Sequence, residues 1–257
     1  MPWLRRPDGC RLYYELHGSA DAQPLILLEG SGGDIPGWRR NIPTLSRELR
    51  VIAYDLRGNG RSDAPDEPAT MTTFVDDTIA LLDELDVSST HVYGQSFGGM
   101  VAQELVLAHP GRVRSLILAA THCGGRRVVR SRGRAPKGQP WLQMYSEGFA
   151  REHPDQVRED QRVARRNPQP GHAARRQREA MEGFDTCDRL SAIEVPALIL
   201  HGTDDRVVDP ENARTLAASI LKAELVLLEG AGHLYHSEQP EAADRAVIEF
   251  IRRHPRG

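Results

Sequence analysis

Short apolar runs alternate with segments of helical periodicity along most of the chain. Seven runs have the length and composition of strands, and most are continuously apolar, as is typical of strands buried on both faces of a sheet. They span residues 11–18, 24–30, 51–56, 90–94, 113–120, 196–202 and 224–230. Segments with apolar residues at helical spacing cover 71–86, 96–110, 210–220 and 239–254. The alternation predicts an α/β protein with a mostly parallel sheet of about eight strands, flanked by helices.

One long segment, 121–190, interrupts this alternation because it contains no convincing strand. The pattern of its second half predicts short helices. Residues 124–138 are rich in basic residues, contain no acidic one and are predicted to form a loop. The basic residues are Arg126, Arg127, Arg130, Arg132, Arg134 and Lys137. We interpret this loop as a solvated surface, and attraction of an anionic substrate is the alternative. The predicted organisation is a core of 1–120 and 191–257 with a helical cap, or lid, formed by 121–190.

Composition and charge exclude several classes of function. The chain has 257 residues, 39% hydrophobic and 27% charged, with a formal net charge of −3, so neither nucleic acid nor a membrane is expected as a partner. No secretory signal or membrane-spanning run is evident. Cys10, Cys123 and Cys187 lack metal-ligand spacing and read as free thiols, which favours a cytoplasmic location. A secreted protein with one disulfide and one spare thiol is the alternative.

The stretch GQSFG, residues 94–98, lies between a predicted strand and a predicted helix. Ser96 then occupies a tight turn with positive φ, and Gly94 and Gly98 avoid a collision across it. Such a turn lifts a serine hydroxyl beyond the sheet and directs the first N–H groups of the helix, beginning with Phe97, toward the same space. Ser96 is therefore a candidate nucleophile. A surface turn or a simple helix cap is the alternative.

A serine nucleophile needs a base, and the base needs an acid to orient it. Two loops that follow late strands supply candidates, since open α/β sheets place their sites beyond the carboxyl ends of the strands. Asp205 is the preferred acid, with Asp204 as the alternative, and His233 is the preferred base because Gly-Ala-Gly precedes it. His236 is expected to be solvated or locally hydrogen-bonded. A metal pair of His233 and His236 lacks a third ligand, so no metal site is predicted.

An oxyanion needs two N–H donors, and the loop after the strand 24–30 is the natural source of the second one. We assign the donors to the main-chain N–H groups of Phe97 and Ser31, with Gly32 as an alternative to Ser31. Further candidates for the substrate pocket are Glu29, Gly30, Gly32, Trp141 and Tyr145. At their helical spacing, the two aromatic residues more often belong simply to the core of the cap.

Taken together, these segments resemble the α/β-hydrolase superfamily. The stretch YDLRGNGRSDAP, residues 54–65, is similar to a motif that follows the fourth strand in that family, and 121–190 is where the family places its variable cap. The segments around Ser96, Asp205 and His233 resemble those of enol-lactonases, haloperoxidase-like esterases and carbon–carbon bond hydrolases. The resemblance implies a Ser-His-Asp triad and an acyl-enzyme, without a cofactor.

The chain departs from that family at two positions. Glu29 stands where the family usually has histidine before the oxyanion loop, and Asn59 replaces a frequent histidine. We expect Glu29 either to border the pocket and shape substrate choice or to tie down the loop 30–37, and Asn59 to support a loop.

The expected function is hydrolysis of a small-molecule ester or lactone by a monomer or homodimer, with water as the second reactant. The alternatives are hydrolysis of a carbon–carbon bond in a diketone and non-hydrolytic tailoring of a natural product. A binding protein without catalysis is the remaining class.

Overall fold

Eight strands form a single sheet in the computed structural model, which describes residues 3–131, 133 and 137–255. The strands are β1 (Trp3–Arg5), β2 (Arg11–His17), β3 (Gln23–Leu28), β4 (Leu49–Tyr54), β5 (Thr90–Gln95), β6 (Val113–Ala119), β7 (Ala197–Gly202) and β8 (Ala223–Leu228). Their order is β1-β2-β4-β3-β5-β6-β7-β8. β2 pairs antiparallel with β1 and β4, and all other pairs are parallel. The predicted fold class is therefore confirmed.

Helices cover both faces of the sheet. They are α1 (Ile42–Leu45), α2 (Met71–Glu84), α3 (Phe97–Ala108), α4 (Glu147–Glu152), α5 (Pro154–Ala164), α6 (Gly171–Glu182), α7 (Glu211–Ser219), α8 (Tyr235–Glu238) and α9 (Pro240–Arg253). The four helices predicted from periodicity correspond to α2, α3, α7 and α9, and each begins and ends within two residues of its predicted bounds. None of the described helices is long and apolar enough to cross a membrane.

The core has two layers, one on each face of the sheet. Along β3, Ile26 and Leu28 pack in the layer that contains α2 and α3, whereas Leu25 and Leu27 pack in the layer that contains α1 and α9. Successive side chains of a strand point to opposite faces, so a strand buried on both faces must be apolar throughout. This is the physical origin of the continuous apolar runs in the sequence.

The segment between β6 and β7 contains α4, α5 and α6, and no strand longer than an isolated bridge occurs among its described residues. Within the basic loop, Arg127 pairs with Asp188 at 2.8 Å, with both side chains exposed. Arg130 forms an isolated bridge with Val208. Arg132 and Arg134 lie outside the described residues.

The expectation of three free thiols is wrong. Cys123 and Cys187 form a disulfide with a Cα–Cα distance of 4.9 Å, and only Cys10 among them is free. The two partners are 64 positions apart, but they meet because the insertion leaves β6 and rejoins β7, which is the neighbouring strand. The N–H of Thr186 also donates to the carbonyl oxygen of Cys123 at 2.8 Å. The disulfide thus closes the base of the insertion and removes one reason for expecting a cytoplasmic location.

Candidate active site

Ser96 lies in the turn between β5 and α3, with φ 53°. This region of backbone space is strained for a residue that has a Cβ atom. A Cβ at Gly94 would come within 2.4 Å of the carbonyl oxygen of Gly98, and one at Gly98 within 2.0 Å of the carbonyl oxygen of Leu28. Side chains at these two positions are therefore excluded, and the chain can reverse tightly enough to present Ser96 at the edge of the sheet.

Asp205 and His233 lie in the loops that follow the neighbouring strands β7 and β8. The Nδ1 atom of His233 is 2.8 Å from Oδ2 of Asp205. The other carboxylate oxygen accepts hydrogen bonds from the N–H groups of Val207 (2.8 Å) and Val208 (2.9 Å). Asp204, the alternative acid, is exposed, and its carboxylate lies against the hydroxyl of Thr203. The structure thus brings Asp205, and not Asp204, to His233.

The electrostatics of this pair fix the protonation of the imidazole. Burial alone raises the pKa of Asp205, but the imidazoles of His233 and His201 outweigh that effect and hold the pKa well below its usual value. The carboxylate is therefore ionised and accepts the Nδ1–H of His233, which leaves Nε2 as the proton acceptor.

His201, which the sequence analysis did not single out, is a second imidazole beside Asp205. Its Nε2 lies 3.0 Å from Oδ2 of Asp205 and 3.0 Å from the carbonyl oxygen of Val208. Two acceptors around one nitrogen require that this nitrogen carries the proton. The signal in the sequence is its position near the end of β7, four residues before Asp205.

A cavity of about 370 Å³ is lined by both Ser96 and His233. No hydrogen bond joins the two side chains in the structure, and catalytic hydrogen bonds often tighten only when substrate binds. Core loops form one part of the wall, and the insertion contributes Trp141, Met144, Asp160, Val163 and Ala164. The cavity is large enough for a small organic molecule.

The loop after β3 packs directly on the turn that holds Ser96. A Cβ at Gly30 would lie 3.3 Å from the Cβ of Ser96, and Gly32 has φ 74°. The hydroxyl of Ser31 donates to Gln177 at 2.8 Å. Within the part of the chain that the structure describes, the main-chain N–H groups of Ser31 and Phe97 have no protein acceptor. Both groups are thus free to donate to a ligand.

Asn59 and Glu29, the two departures from the family pattern, both contact this loop. Asn59 donates to the carbonyl oxygens of Gly33 (2.7 Å) and Gly30 (3.3 Å), which is the loop-supporting contact expected of it. Oε1 of Glu29 accepts from the N–H of Gly30 at 3.0 Å, whereas its Oε2 is buried without a partner. Burial raises the pKa of Glu29 to about 8. Glu29 therefore both holds the loop and borders the cavity.

Of the candidate pocket residues, Glu29, Gly30, Gly32 and Trp141 line the cavity and Tyr145 does not. Tyr145 is fully buried inside the insertion, where its hydroxyl donates to Asp160 at 3.0 Å. It follows a short 3₁₀ turn, Pro140–Met144.

The expectation that His236 is solvated or locally hydrogen-bonded is wrong. The side chain is 2% exposed, lines the cavity and packs on Trp38 with ring centroids 4.9 Å apart. The short helix α8 turns it inward directly after His233. Burial lowers the pKa of His236 to about 3, so the ring is neutral at physiological pH.

Comparison with known proteins agrees with this architecture. Residues 23–240 match the family model described as alpha/beta hydrolase fold. A protein of Variovorax paradoxus named "Putative carbamate hydrolase RutD" is 30% identical, over 94% of this chain and 96% of its own length. The 3-oxoadipate enol-lactonase 2 of Acinetobacter baylyi is 29% identical, over 94% of this chain and 93% of its own length. The crystal structure of a hydrolase from Pseudomonas aeruginosa superposes with a TM-score of 0.86 at 31% identity, over 97% of both chains. The chain is therefore a hydrolase that belongs to the alpha/beta hydrolase fold family.

Proposed function

We propose that the protein is a serine hydrolase of small-molecule esters or lactones, with Ser96, His233 and Asp205 as its catalytic triad. The observation that carries this proposal is the hydrogen-bonded pair of His233 and Asp205 beside a cavity that also exposes a strained serine. The similar proteins point the same way, since one is named a carbamate hydrolase and another an enol-lactonase. Each of those names describes attack of water on a carboxyl derivative.

The reaction begins when Nε2 of His233 takes the proton of the Ser96 hydroxyl as its oxygen attacks the carbonyl carbon. The main-chain N–H groups of Phe97 and Ser31 donate to the resulting oxyanion. His233 then gives its proton to the leaving oxygen, and an acyl-enzyme remains on Ser96. A water molecule, deprotonated by the same imidazole, attacks the acyl group. The imidazolium then returns that proton to Ser96 Oγ as the bond to the acyl carbon breaks and the acid is released. Asp205 supports the imidazolium in both steps.

The insertion serves as a cap in this proposal. Its residues Trp141, Met144, Val163 and Ala164 form an apolar part of the cavity wall. Substrate choice therefore depends on the segment 121–190, while the chemistry depends on the core. The site of action proposed from the sequence is the cytoplasm, and the disulfide between Cys123 and Cys187 is the observation that opposes it.

The test is hydrolysis of p-nitrophenyl acetate by wild type and by Ser96→Ala. We expect Ser96→Ala to keep the wild-type circular dichroism spectrum and to lose at least about 10³-fold in kcat/KM, because no other group replaces the nucleophile. Ser88→Ala, at an exposed serine outside the cavity, is the matched control and should retain activity. A fluorophosphonate probe should label wild type and Ser88→Ala but not Ser96→Ala. Full activity or labelling in Ser96→Ala contradicts the proposal.

A further inference from the structure

Carboxyl groups outnumber cationic groups around the cavity. Three acidic residues line it, Glu29, Asp34 and Asp160, and each is 5–6% exposed. Arg39 is the only lysine or arginine among the described residues of the lining. A substrate carboxylate inside this cavity thus has one candidate counter-ion.

Arg39 is already paired. One of its terminal nitrogens bonds directly to Oδ1 of Asp160, and the other donates to the carbonyl oxygen of Pro36 at 3.4 Å. Burial tends to raise the pKa of Asp160, but the Ser237 hydroxyl and Arg39 hold it below its usual value. The carboxylate is therefore charged. Arg40 also donates to Oδ1 of Asp160 at 3.2 Å and to Glu159 at 3.2 Å. The two guanidinium groups are thus balanced by two carboxylates of the protein itself.

The other lining groups do not add a free cation. Glu29 is an acid whose free Oε2 faces no partner, and Asp34 accepts a hydrogen bond from Asn167 at 3.0 Å. The ring of His236 is neutral, and His233 is bound to Asp205. A carboxylate that enters would lose its hydration without gaining a counter-ion, and it would face Asp34 and Asp160. Burial of an unpaired ion under such conditions is strongly unfavourable.

We propose that the natural substrate is an uncharged ester or lactone, and that the cavity selects against acyl groups that carry a carboxylate. This inference rests on the proposed function for the reaction itself. The uncharged acyl part packs against the apolar wall formed by Trp141, Met144 and Val163.

The experiment compares two esters that differ in one charge: p-nitrophenyl methyl adipate, which is neutral, and p-nitrophenyl hydrogen adipate, which is anionic. At pH 7, with the uncatalysed rates subtracted, we expect wild type to favour the neutral ester by about 30-fold or more in kcat/KM. Equal rates, or preference for the anion, overturn the inference while leaving the proposed function intact. If wild type hydrolyses neither ester and resists the fluorophosphonate probe, the proposed function fails, and the inference fails with it.

A second arm tests the stated cause. Asp160→Asn removes the counter-ion of Arg39 and frees its guanidinium for a substrate carboxylate. We expect the preference for the neutral ester to shrink by about tenfold in this variant, measured at 25 °C. Asp155→Asn, on the same helix but exposed, is the matched control and should keep the wild-type ratio. An unchanged ratio in Asp160→Asn contradicts the role assigned to the Arg39–Asp160 pair.

Discussion

At the scale of single residues, the strained backbone of Ser96 is held by its surroundings. Its N–H donates to the carbonyl oxygen of Ala119 at 2.8 Å, and its own carbonyl oxygen accepts from the hydroxyl of Thr121 at 2.8 Å. Ala119 ends β6, which pairs with β5, and Thr121 lies two residues beyond it. A strained residue persists only where its neighbours over-determine it. The end of β6 and the residues just after it therefore hold Ser96 together with the glycines.

Glu29 is the residue whose environment departs most from that of an ordinary carboxylate. Burial is the main cause of its raised pKa, Asp34 and Asp55 add to the rise, and the hydrogen bond from Gly30 opposes it. The ordinary value is 4.5 and the value in the folded protein is about 8. Between these two pH values the folded protein holds a proton that the unfolded chain has released. The contribution of Glu29 to the free energy of unfolding then falls as the pH rises through this window.

Glu29→Gln should remove that dependence, because glutamine keeps the acceptor for the Gly30 N–H and does not titrate. The quantity to compare is the free energy of unfolding of the variant minus that of wild type. We expect this difference to increase by about 1–3 kcal/mol, in favour of the variant, from pH 5 to pH 8. Urea unfolding at pH 5, 6.5 and 8 measures this difference. Glu84→Gln, at an exposed position, should give a difference that does not change with pH. If the difference between Glu29→Gln and wild type also did not change with pH, Glu29 would have to be charged over the whole range from pH 5 to pH 8.

The candidate site follows from the sequence only where local pattern determines geometry. A G-x-S-x-G turn between strand and helix requires small residues at fixed offsets, so Gly94, Ser96 and Gly98 can be identified without a structure. The contact of Thr121 with Ser96 depends on which strands are neighbours. No local periodicity carries that information.

At the scale of elements, α5 docks the insertion on the core through one buried carboxylate. Asp160 accepts from Ser237 (2.6 Å), which follows His233, and from Tyr145 (3.0 Å) within the insertion. It also pairs with Arg39 and Arg40, which lie beyond the loop that follows β3. Three parts of the molecule around the cavity therefore meet at a single side chain.

Asp160→Asn should loosen this docking, because Arg39 loses its counter-ion and a charge-assisted hydrogen bond becomes a neutral one. We expect a loss of about 1–3 kcal/mol in the free energy of unfolding, or a Tm lower by roughly 3–10 °C. Thermal unfolding followed by circular dichroism measures the change. Asp155→Asn, on the same helix with an exposed side chain, should unfold at the wild-type temperature. Equal Tm values for the two variants would show that Asp160 does not dock the insertion.

Helical periodicity identified α2, α3, α7 and α9 because each has an apolar face that packs on the sheet. Between 121 and 190 the same method indicated helices but not their placement. Some of the docking contacts there are polar, and one polar partner of Asp160, Arg39, is 121 positions away. Segments held by such contacts carry no periodic signal of their position.

At the scale of the whole molecule, the parallel sheet gathers the site at one edge. The loops after β3, β5, β7 and β8 carry Ser31, Ser96, Asp205 and His233, and all four strands run in the same direction. The insertion leaves from the end of β6 and therefore begins at the same edge. One topological feature thus brings together the candidate catalytic residues and the cavity beside them.

The disulfide between Cys123 and Cys187 constrains this insertion at its base, and its contribution can be measured directly. Cross-linking positions 64 residues apart restricts the unfolded chain and typically stabilises a protein by about 2–4 kcal/mol.

We expect dithiothreitol to lower the Tm of wild type by roughly 5–10 °C. The variant with both Cys123→Ser and Cys187→Ser should already unfold at the lower temperature, with or without the reductant. Thiol titration of the denatured, unreduced protein should find the single thiol of Cys10. Three thiols, or a Tm that ignores the reductant, would show that the insertion is held by its polar contacts alone.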